Sequence, residues 1–138
     1  MDTILAPLAV LVLWSFVMWA WLYATRIPAM VKGRIAYDPQ RPAGEFQARL
    51  PASVRWKADN YNHLMEQPTL FYAVVISLHI VGAGTDIHIA LAWIYVGLRI
   101  VHSLVQALVN IVMWRFSIFM LASVVLLILA VRLAVIVL

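Results

Sequence analysis

Two charged residues at apolar stretches of the chain are the first candidates for chemistry. Glu66 directly precedes an uncharged apolar stretch, and Arg99 interrupts another. A charged side chain inside such a segment is costly, so it is by default a candidate for a functional site. A carboxylate can bind the amine of a ligand, and a guanidinium can bind its carboxylates. Together they are candidates for contact with a ligand.

A polar stripe surrounds Arg99 if the segment is helical. Successive residues of a helix are rotated by about 100°, and at this rotation four other polar residues fall with Arg99 within about 80°. These four are Tyr95, His102, Gln106 and Asn110. The same rotation gives Glu66 a polar face of its own. Its members are Arg55, Asp59, Asn62 and His63.

The two polar faces meet if their helices run in opposite directions. In that arrangement Glu66 enters the membrane from the side that residues 102–110 approach. We therefore expect a polar pocket between the two helices, in the cytoplasmic half of the membrane. Two other interpretations stay open. Arg99 could pair with Glu66 as a buried ion pair that fixes the helix register. His102 could be a hydrogen-bonding residue between helices.

The composition indicates what must position these residues. The 138 residues are 65% hydrophobic and 12% charged, whereas soluble domains have roughly 45–50% and about 25%. A chain this short cannot hide so much apolar surface from water, so we expect a lipid environment. The absence of cysteine excludes a disulfide scaffold and thiolate ligands. The four His residues are not spaced as a metal site, so we expect no metal.

Four apolar segments are long enough to cross a bilayer, which takes about 20 residues of helix. They cover about residues 3–25, 64–83, 87–112 and 116–137. We therefore predict an all-α membrane protein, a four-transmembrane-helix bundle that forms one integral membrane domain over residues 1–138. The second helix is expected to begin near Ser53, to continue to residue 83 and to kink at Pro68.

The predicted loop of about residues 26–52 carries the charge that sets the orientation. Residues 26–59 hold seven Lys or Arg against three Asp or Glu, a net charge of +4. Basic loops stay in the cytoplasm, which places this loop and Arg115 there and Asp2 and Asp86 on the other side. Because membrane topology already explains the basic loop, we expect no nucleic-acid partner.

Two stretches of the sequence resemble signatures of the MAPEG superfamily, the membrane-associated proteins in eicosanoid and glutathione metabolism. Residues 60–71, NYNHLMEQPTLF, resemble the second-helix signature. Residues 95–103, YVGLRIVHS, resemble the third-helix signature Gly-x-Arg-x-x-His-[Ser/Thr]. The length, the four spans and the single long loop after the first helix are similar as well, so the resemblance covers essentially the whole chain.

The resemblance implies a homotrimer that holds glutathione, as co-substrate, between adjacent subunits near the cytoplasmic face. It implies that Arg115 is catalytic, because some members keep there the arginine that activates the thiol. With the two polar faces it also implies a glutathione-binding set. This set is Arg26, Asn62, His63, Glu66, Arg99, His102 and Gln106. Membrane lipid and a lipophilic small molecule are the other expected partners of a multi-pass protein in a bacterial inner membrane.

Some positions depart from the family pattern. Gln106 and Phe119 stand where members often have tyrosine, while Asp59 and His63 stand where they often have arginine and asparagine. The leading expectation is a glutathione-dependent membrane enzyme, a transferase or peroxidase that conjugates or reduces lipophilic electrophiles. The alternative is a non-catalytic membrane binding or scaffold protein, which the missing tyrosines favour. A small channel or transporter is a third class.

Overall fold

The structure, a computed structural model, describes residues 3–138, and Asp2, one of the two residues predicted on the extracytoplasmic side, lies outside them. Within this range the chain is 81% helical and has no strands, which confirms the all-α prediction. The helices are α1 (Leu5–Lys32), α2 (Ala43–Arg49), α3 (Ala52–Leu64), α4 (Pro68–Ile80), α5 (Asp86–Leu108) and α6 (Val112–Val137).

Three of these helices are long and apolar enough to cross a membrane. They are α1 with 28 residues, α5 with 23 and α6 with 26. The remaining predicted crossing, about residues 64–83, is the second in chain order. It is not formed by one long helix, because α4 has only 13 residues. At about 1.5 Å per residue it is roughly 20 Å long, shorter than a hydrocarbon core of about 30 Å.

The prediction of one helix from residue 53 to residue 83 with a kink at Pro68 is wrong. α3 ends at Leu64, and α4 begins at Pro68. Proline is well tolerated in the first turn of a helix, where its missing N–H would have no partner. In the break between the helices, the Glu66 N–H donates to the carbonyl of His63 at 3.2 Å, a tighter turn than an α-helix makes. Glu66 therefore lies in the break.

The connection between α5 and α6 also differs from the prediction. The predicted spans of about residues 87–112 and 116–137 leave residues 113–115 for it, but it occupies residues 109–111. Asn110 has φ +54° there. Asparagine is, after glycine, the residue that most readily takes this left-handed conformation at the end of a helix. Arg115 consequently lies in the first turn of α6.

The predicted loop of residues 26–52 is partly helical. α1 continues as a helix through Pro28 to Lys32, and α2 occupies the second half of the loop. None of the residues of α2 is buried, so this helix lies on the surface of the bundle.

α5 lies at the centre of the bundle and contacts α1, α3 and α6. The outer faces of the long helices are apolar and exposed, for example at Leu13 and Phe16 of α1 and at Leu127 and Val131 of α6. An apolar exterior on three long helices is the pattern of an integral membrane protein.

Lys57 of α3 connects that helix to the end of α5. Its ammonium donates to the carbonyl of Ala107 at 3.3 Å and lies 5.2 Å from the centroid of the Trp21 ring in α1. The last carbonyls of a helix have no partner within it, so a cation there is stabilising. Burial lowers the pKa of Lys57. This contact fixes the antiparallel register of α3 and α5 that brings His63 beside Arg99.

Candidate functional site

The predicted polar face of α5 is buried. Tyr95, Arg99, His102 and Gln106 all lie inside the bundle, so the prediction that they share one face is confirmed. Asn110 does not belong to this face, because α5 ends at Leu108 and Asn110 lies in the turn that follows.

Arg99 is the centre of this face, and its guanidinium is held by a histidine. The side chain has no exposed surface. Its Nη2 donates to Nδ1 of His63 at 3.2 Å, and its Cζ lies 5.8 Å from the centroid of the Phe119 ring in α6. A guanidinium can only donate hydrogen bonds, so Nδ1 of His63 accepts and the ring proton is on Nε2. Burial lowers the pKa of His63, and the charge of Arg99 lowers it further.

The expected alternative of an Arg99–Glu66 ion pair is not formed. Among residues 3–138, the only ion pair within 4 Å joins Arg41 to Asp38, and the carboxylate of Glu66 lies 4.0 Å from Nδ1 of the neutral His63. The Nε and Nη1 atoms of Arg99 are buried and have no hydrogen-bond partner in the described part of the chain. Among the described residues, Arg99 therefore has no counter-anion, although it is buried.

Two histidines and an aromatic ring stand beside Arg99. The rings of His63 and His102 meet edge to face with centroids 4.9 Å apart, and the Phe119 ring lies 5.3 Å from His63. Nδ1 of His102 is buried without a hydrogen-bond partner. These three side chains line a cavity of about 180 Å³ together with Val112, Arg115 and Phe116. The cavity joins polar nitrogen atoms to an apolar wall.

Arg115 is positioned at this cavity by the turn before α6. Its Nη1 donates to Oδ1 of Asn110, the residue in the left-handed conformation. Its Nε is buried and has no hydrogen-bond partner within residues 3–138. The guanidinium is therefore oriented by one bond and retains donors for a ligand.

The polar face predicted around Glu66 is not enclosed in one protomer. Asp59, Asn62 and Glu66 are exposed, and the side chain of Glu66 is 72% exposed. Only His63 of this group reaches α5. The expected pocket between two polar faces is therefore incomplete, because the break after α3 turns Glu66 outward.

Arg26 lies apart from the other predicted site residues. It stands near the end of α1 and lines a cavity with residues of α2, not the cavity of His63 and His102. Its guanidinium carbon is 5.3 Å from the centroid of the Phe46 ring.

Gln67 is a positioning residue that the sequence reasoning missed. Its Oε1 accepts a hydrogen bond from the hydroxyl of Tyr95 at 3.3 Å, and its Nε2 donates to Oγ of Ser123 at 2.8 Å. This amide connects the break before α4 to both α5 and α6. An amide directly before Pro68 at the edge of an apolar stretch was the available signal.

The described residues also bear on metal binding. No three His, Cys, Asp or Glu side chains come together within residues 3–138 in a way that could hold a metal ion. The nitrogen atoms of the cavity instead surround a space beside an unpaired cation, an arrangement suited to an anion.

Comparison with known proteins gives one match. The sequence model of the MAPEG family matches residues 4–135, nearly the whole chain. No curated protein and no solved structure matches it.

Proposed function

Because the chain belongs to the MAPEG family, whose members are glutathione-related transferases or proteins of eicosanoid metabolism, we propose that it is a glutathione-dependent membrane enzyme. It conjugates or reduces lipophilic electrophiles as a transferase or peroxidase. Its site is the cavity beside Arg99, on the cytoplasmic side of the membrane.

The single observation that carries this proposal is the burial of Arg99 with no counter-anion in the described part of the chain. Removing a charge from water costs several kcal/mol unless a partner compensates it. Two of its donor nitrogens, Nε and Nη1, have no partner among residues 3–138. An anionic ligand would supply both the charge and the acceptors, and glutathione offers two carboxylates and, when ionised, a thiolate.

Each remaining side chain of the cavity has a role in this proposal. His63 presents its Nε2–H as a donor, and His102 offers a buried nitrogen atom. Arg115 stabilises the thiolate: a free thiol has a pKa of about 8.5, and a nearby guanidinium favours the ionised form. The thiolate sulfur then attacks the electrophilic carbon, forms the C–S bond and expels the leaving group with its electron pair. Phe116 and Phe119 form the apolar wall for the electrophile.

We further propose that three protomers complete the site. Glu66 and Asn62 are exposed in the single protomer and would face glutathione across a subunit boundary. Glu66 would then pair with the amine of the ligand, and Gln106 would support the buried polar face from α5. A monomer leaves these polar groups, in α3 and in the break after it, facing lipid or solvent, which is costly at membrane depth.

The proposed membrane arrangement has four crossings in a bacterial inner membrane, with both termini outside the cytoplasm. The second crossing, residues 64–83, combines the break with α4. α4 exposes Leu70, Ile76 and Ile80, an apolar surface suited to lipid. The basic segment after α1 supports the orientation.

The alternative function, a non-catalytic binding or scaffold protein, is favoured by one observation. Phe119 occupies the position beside His63 and Arg99 and has no hydroxyl to donate to a thiolate. In this alternative glutathione or another anion binds at Arg99 and no transfer follows.

The test is a titration of the detergent-purified protein with glutathione, read as the midpoint of thermal unfolding, followed by a conjugation assay with an electrophilic aryl halide. S-Methylglutathione, which keeps the carboxylates and lacks the thiol, is the matched ligand control. At 100 times the Kd a ligand stabilises the folded state by about 2.7 kcal/mol. Stabilisation by both ligands with turnover only by glutathione supports the enzyme. Stabilisation without turnover supports the alternative, and no stabilisation by either ligand contradicts the enzyme and any binding of glutathione at Arg99.

A further inference from the structure

A second cavity, of about 370 Å³, lies between the end of α1 and the surface helix α2. Tyr23, Arg26 and Ile27 contribute the α1 side, and Phe46 contributes the α2 side. Its size is within the range of small-molecule sites, roughly 300–1,000 Å³. None of the side chains that line it is acidic. The cavity therefore combines one cation with aromatic and aliphatic walls.

Arg26 brings an uncompensated charge to this cavity. Its guanidinium carbon lies 5.3 Å from the centroid of the Phe46 ring. No carboxylate of residues 3–138 lies within 4 Å of it. A guanidinium that contacts a ring keeps its planar fork of N–H donors, which matches the oxygens of a phosphate or carboxylate. The missing component of this arrangement is an anion.

The position of Arg26 along α1 indicates the level at which that anion lies. Trp19 and Tyr23 pack edge to face with ring centroids 5.4 Å apart, as aromatic residues do at a membrane interface. Arg26 follows Tyr23 by three residues, roughly 4.5 Å farther along the helix axis. A side chain just beyond the aromatic belt is at the level of the lipid head groups.

The cavity adjoins the exposed face of α1. Tyr23 is 45% exposed and Ile27 is 56% exposed, one turn apart on the same face. Trp19 continues this face one turn earlier. A ligand could therefore place its head group beside Arg26 while its acyl chains lie along α1 in the bilayer.

We propose that this cavity binds the phosphate of an anionic membrane phospholipid. Arg26 is the counter-ion, Phe46 holds its guanidinium in place, and Tyr37 lines the same cavity. An anionic lipid is favoured over a zwitterionic one because the lining carries one guanidinium and no carboxylate, so the cavity attracts a head group of net negative charge more strongly than a neutral one. The surrounding basic loop adds to the attraction. The inference is independent of the thiol chemistry, and it assigns Arg26 to a lipid instead of glutathione.

The test measures which lipid the full-length protein retains. Wild-type protein in mixed micelles of phosphatidylglycerol and phosphatidylcholine is analysed by native mass spectrometry. We expect phosphatidylglycerol to be retained at least about tenfold over phosphatidylcholine, a difference of about 1.4 kcal/mol, because the choline of phosphatidylcholine neutralises the charge of its own phosphate. Arg26→Gln should reduce this preference about tenfold. Arg34→Gln is the matched control, because Arg34 is exposed in the same loop and does not line the cavity.

A second variant keeps the test independent of any folding defect of Arg26→Gln. Phe46→Ala removes the wall of a helix that has no buried residues, and we expect it to lower the preference as well. Equal losses in Arg26→Gln and Arg34→Gln would mean general attraction to the basic loop and would overturn the proposal. So would an absence of lipid preference in the wild type, unchanged retention in Phe46→Ala, or displacement of phosphatidylglycerol by saturating glutathione.

Discussion

Arg99 of α5 donates from Nη2 to Nδ1 of His63 in α3 across 3.2 Å, so a neutral imidazole holds the buried cation. The bond satisfies one donor of the guanidinium and leaves its charge uncompensated. It also fixes the tautomer of His63, whose Nε2–H remains a donor at the cavity. This one contact explains both why α3 docks on α5 here and why the site suits an anion.

The contact between Arg99 and His63 predicts that the free energy of unfolding falls as the pH is lowered. The pKa of His63 is lowered in the folded protein, whereas in the unfolded chain it is about 6.5. As the pH falls through 6.5, the unfolded chain binds the proton first, so the stabilisation present above this pH is lost below it. His63→Asn keeps an acceptor for Arg99 and does not titrate, so its unfolding midpoint should fall less between pH 7.5 and 5.5.

The matched control for this experiment is His79→Asn, which changes an exposed histidine in the same way. It should lose stability as the wild type does. Thermal unfolding in detergent at several pH values is the measurement. The assignment of the effect to His63 is wrong if His63→Asn follows the wild-type profile.

Arg115→Ala should separate catalysis from anchoring. If Arg115 stabilises the thiolate, its loss raises the pKa of bound glutathione, and each pKa unit corresponds to about 1.4 kcal/mol. Turnover near pH 7 should then fall roughly tenfold per unit, while glutathione still binds and a higher pH restores part of the rate. A folded variant with wild-type turnover at neutral pH would show that Arg115 only anchors the turn.

Phe119→Tyr should increase thiol chemistry. The ring lies beside His63 and Arg99, and a hydroxyl there could donate to the thiolate. We expect turnover with an aryl halide to rise at least about tenfold, since one hydrogen bond to a charged group contributes roughly 1.5–3 kcal/mol. Phe116→Tyr, on the same cavity wall, is the control. Equal rates in Phe119→Tyr and the wild type would argue against this position as the thiolate donor site.

The proposed orientation predicts opposite labelling of two engineered cysteines. The chain has no cysteine of its own, so single variants report without background. Gly44→Cys in the basic segment has open space around its added Cβ, and Asp86→Cys is exposed at the start of α5. A membrane-impermeant maleimide on intact cells should label Asp86→Cys only. The proposed topology has one crossing between residues 44 and 86. Labelling of both cysteines from one side would mean an even number of crossings between them and would contradict this topology.

The sequence was sufficient to predict the polar face of α5. Tyr95, Arg99 and His102 share a face in any α-helix, whatever its ends, because only their spacing matters. The ends of the helices depend on single residues and were harder to predict. Asn110 takes the left-handed conformation that glycine most often takes at the end of a helix. Pro68 is compatible with a kink as well as with a new helix start.

The unpaired state of Arg99 could not be predicted. Periodicity and depth bring Glu66 to the level of Arg99 and so leave an ion pair open as an alternative to ligand contact. The break at residues 65–67 instead turns the carboxylate outward, where its side chain is 72% exposed. His63, the last titratable residue before α3 ends, contacts Arg99 in place of Glu66. Phe119 and Gln67 reach the site from elements whose register the sequence pattern does not fix.

The most direct test of the central claim is calorimetric titration of wild-type protein and Arg99→Met with glutathione. Methionine replaces the long side chain without its charge. If Arg99 is the ligand cation, affinity should fall roughly 10- to 100-fold, as the loss of 1.5–3 kcal/mol implies. The unliganded variant should unfold at the same or a higher temperature, because an unpaired buried charge is removed. Wild-type affinity in a folded Arg99→Met protein would contradict the account.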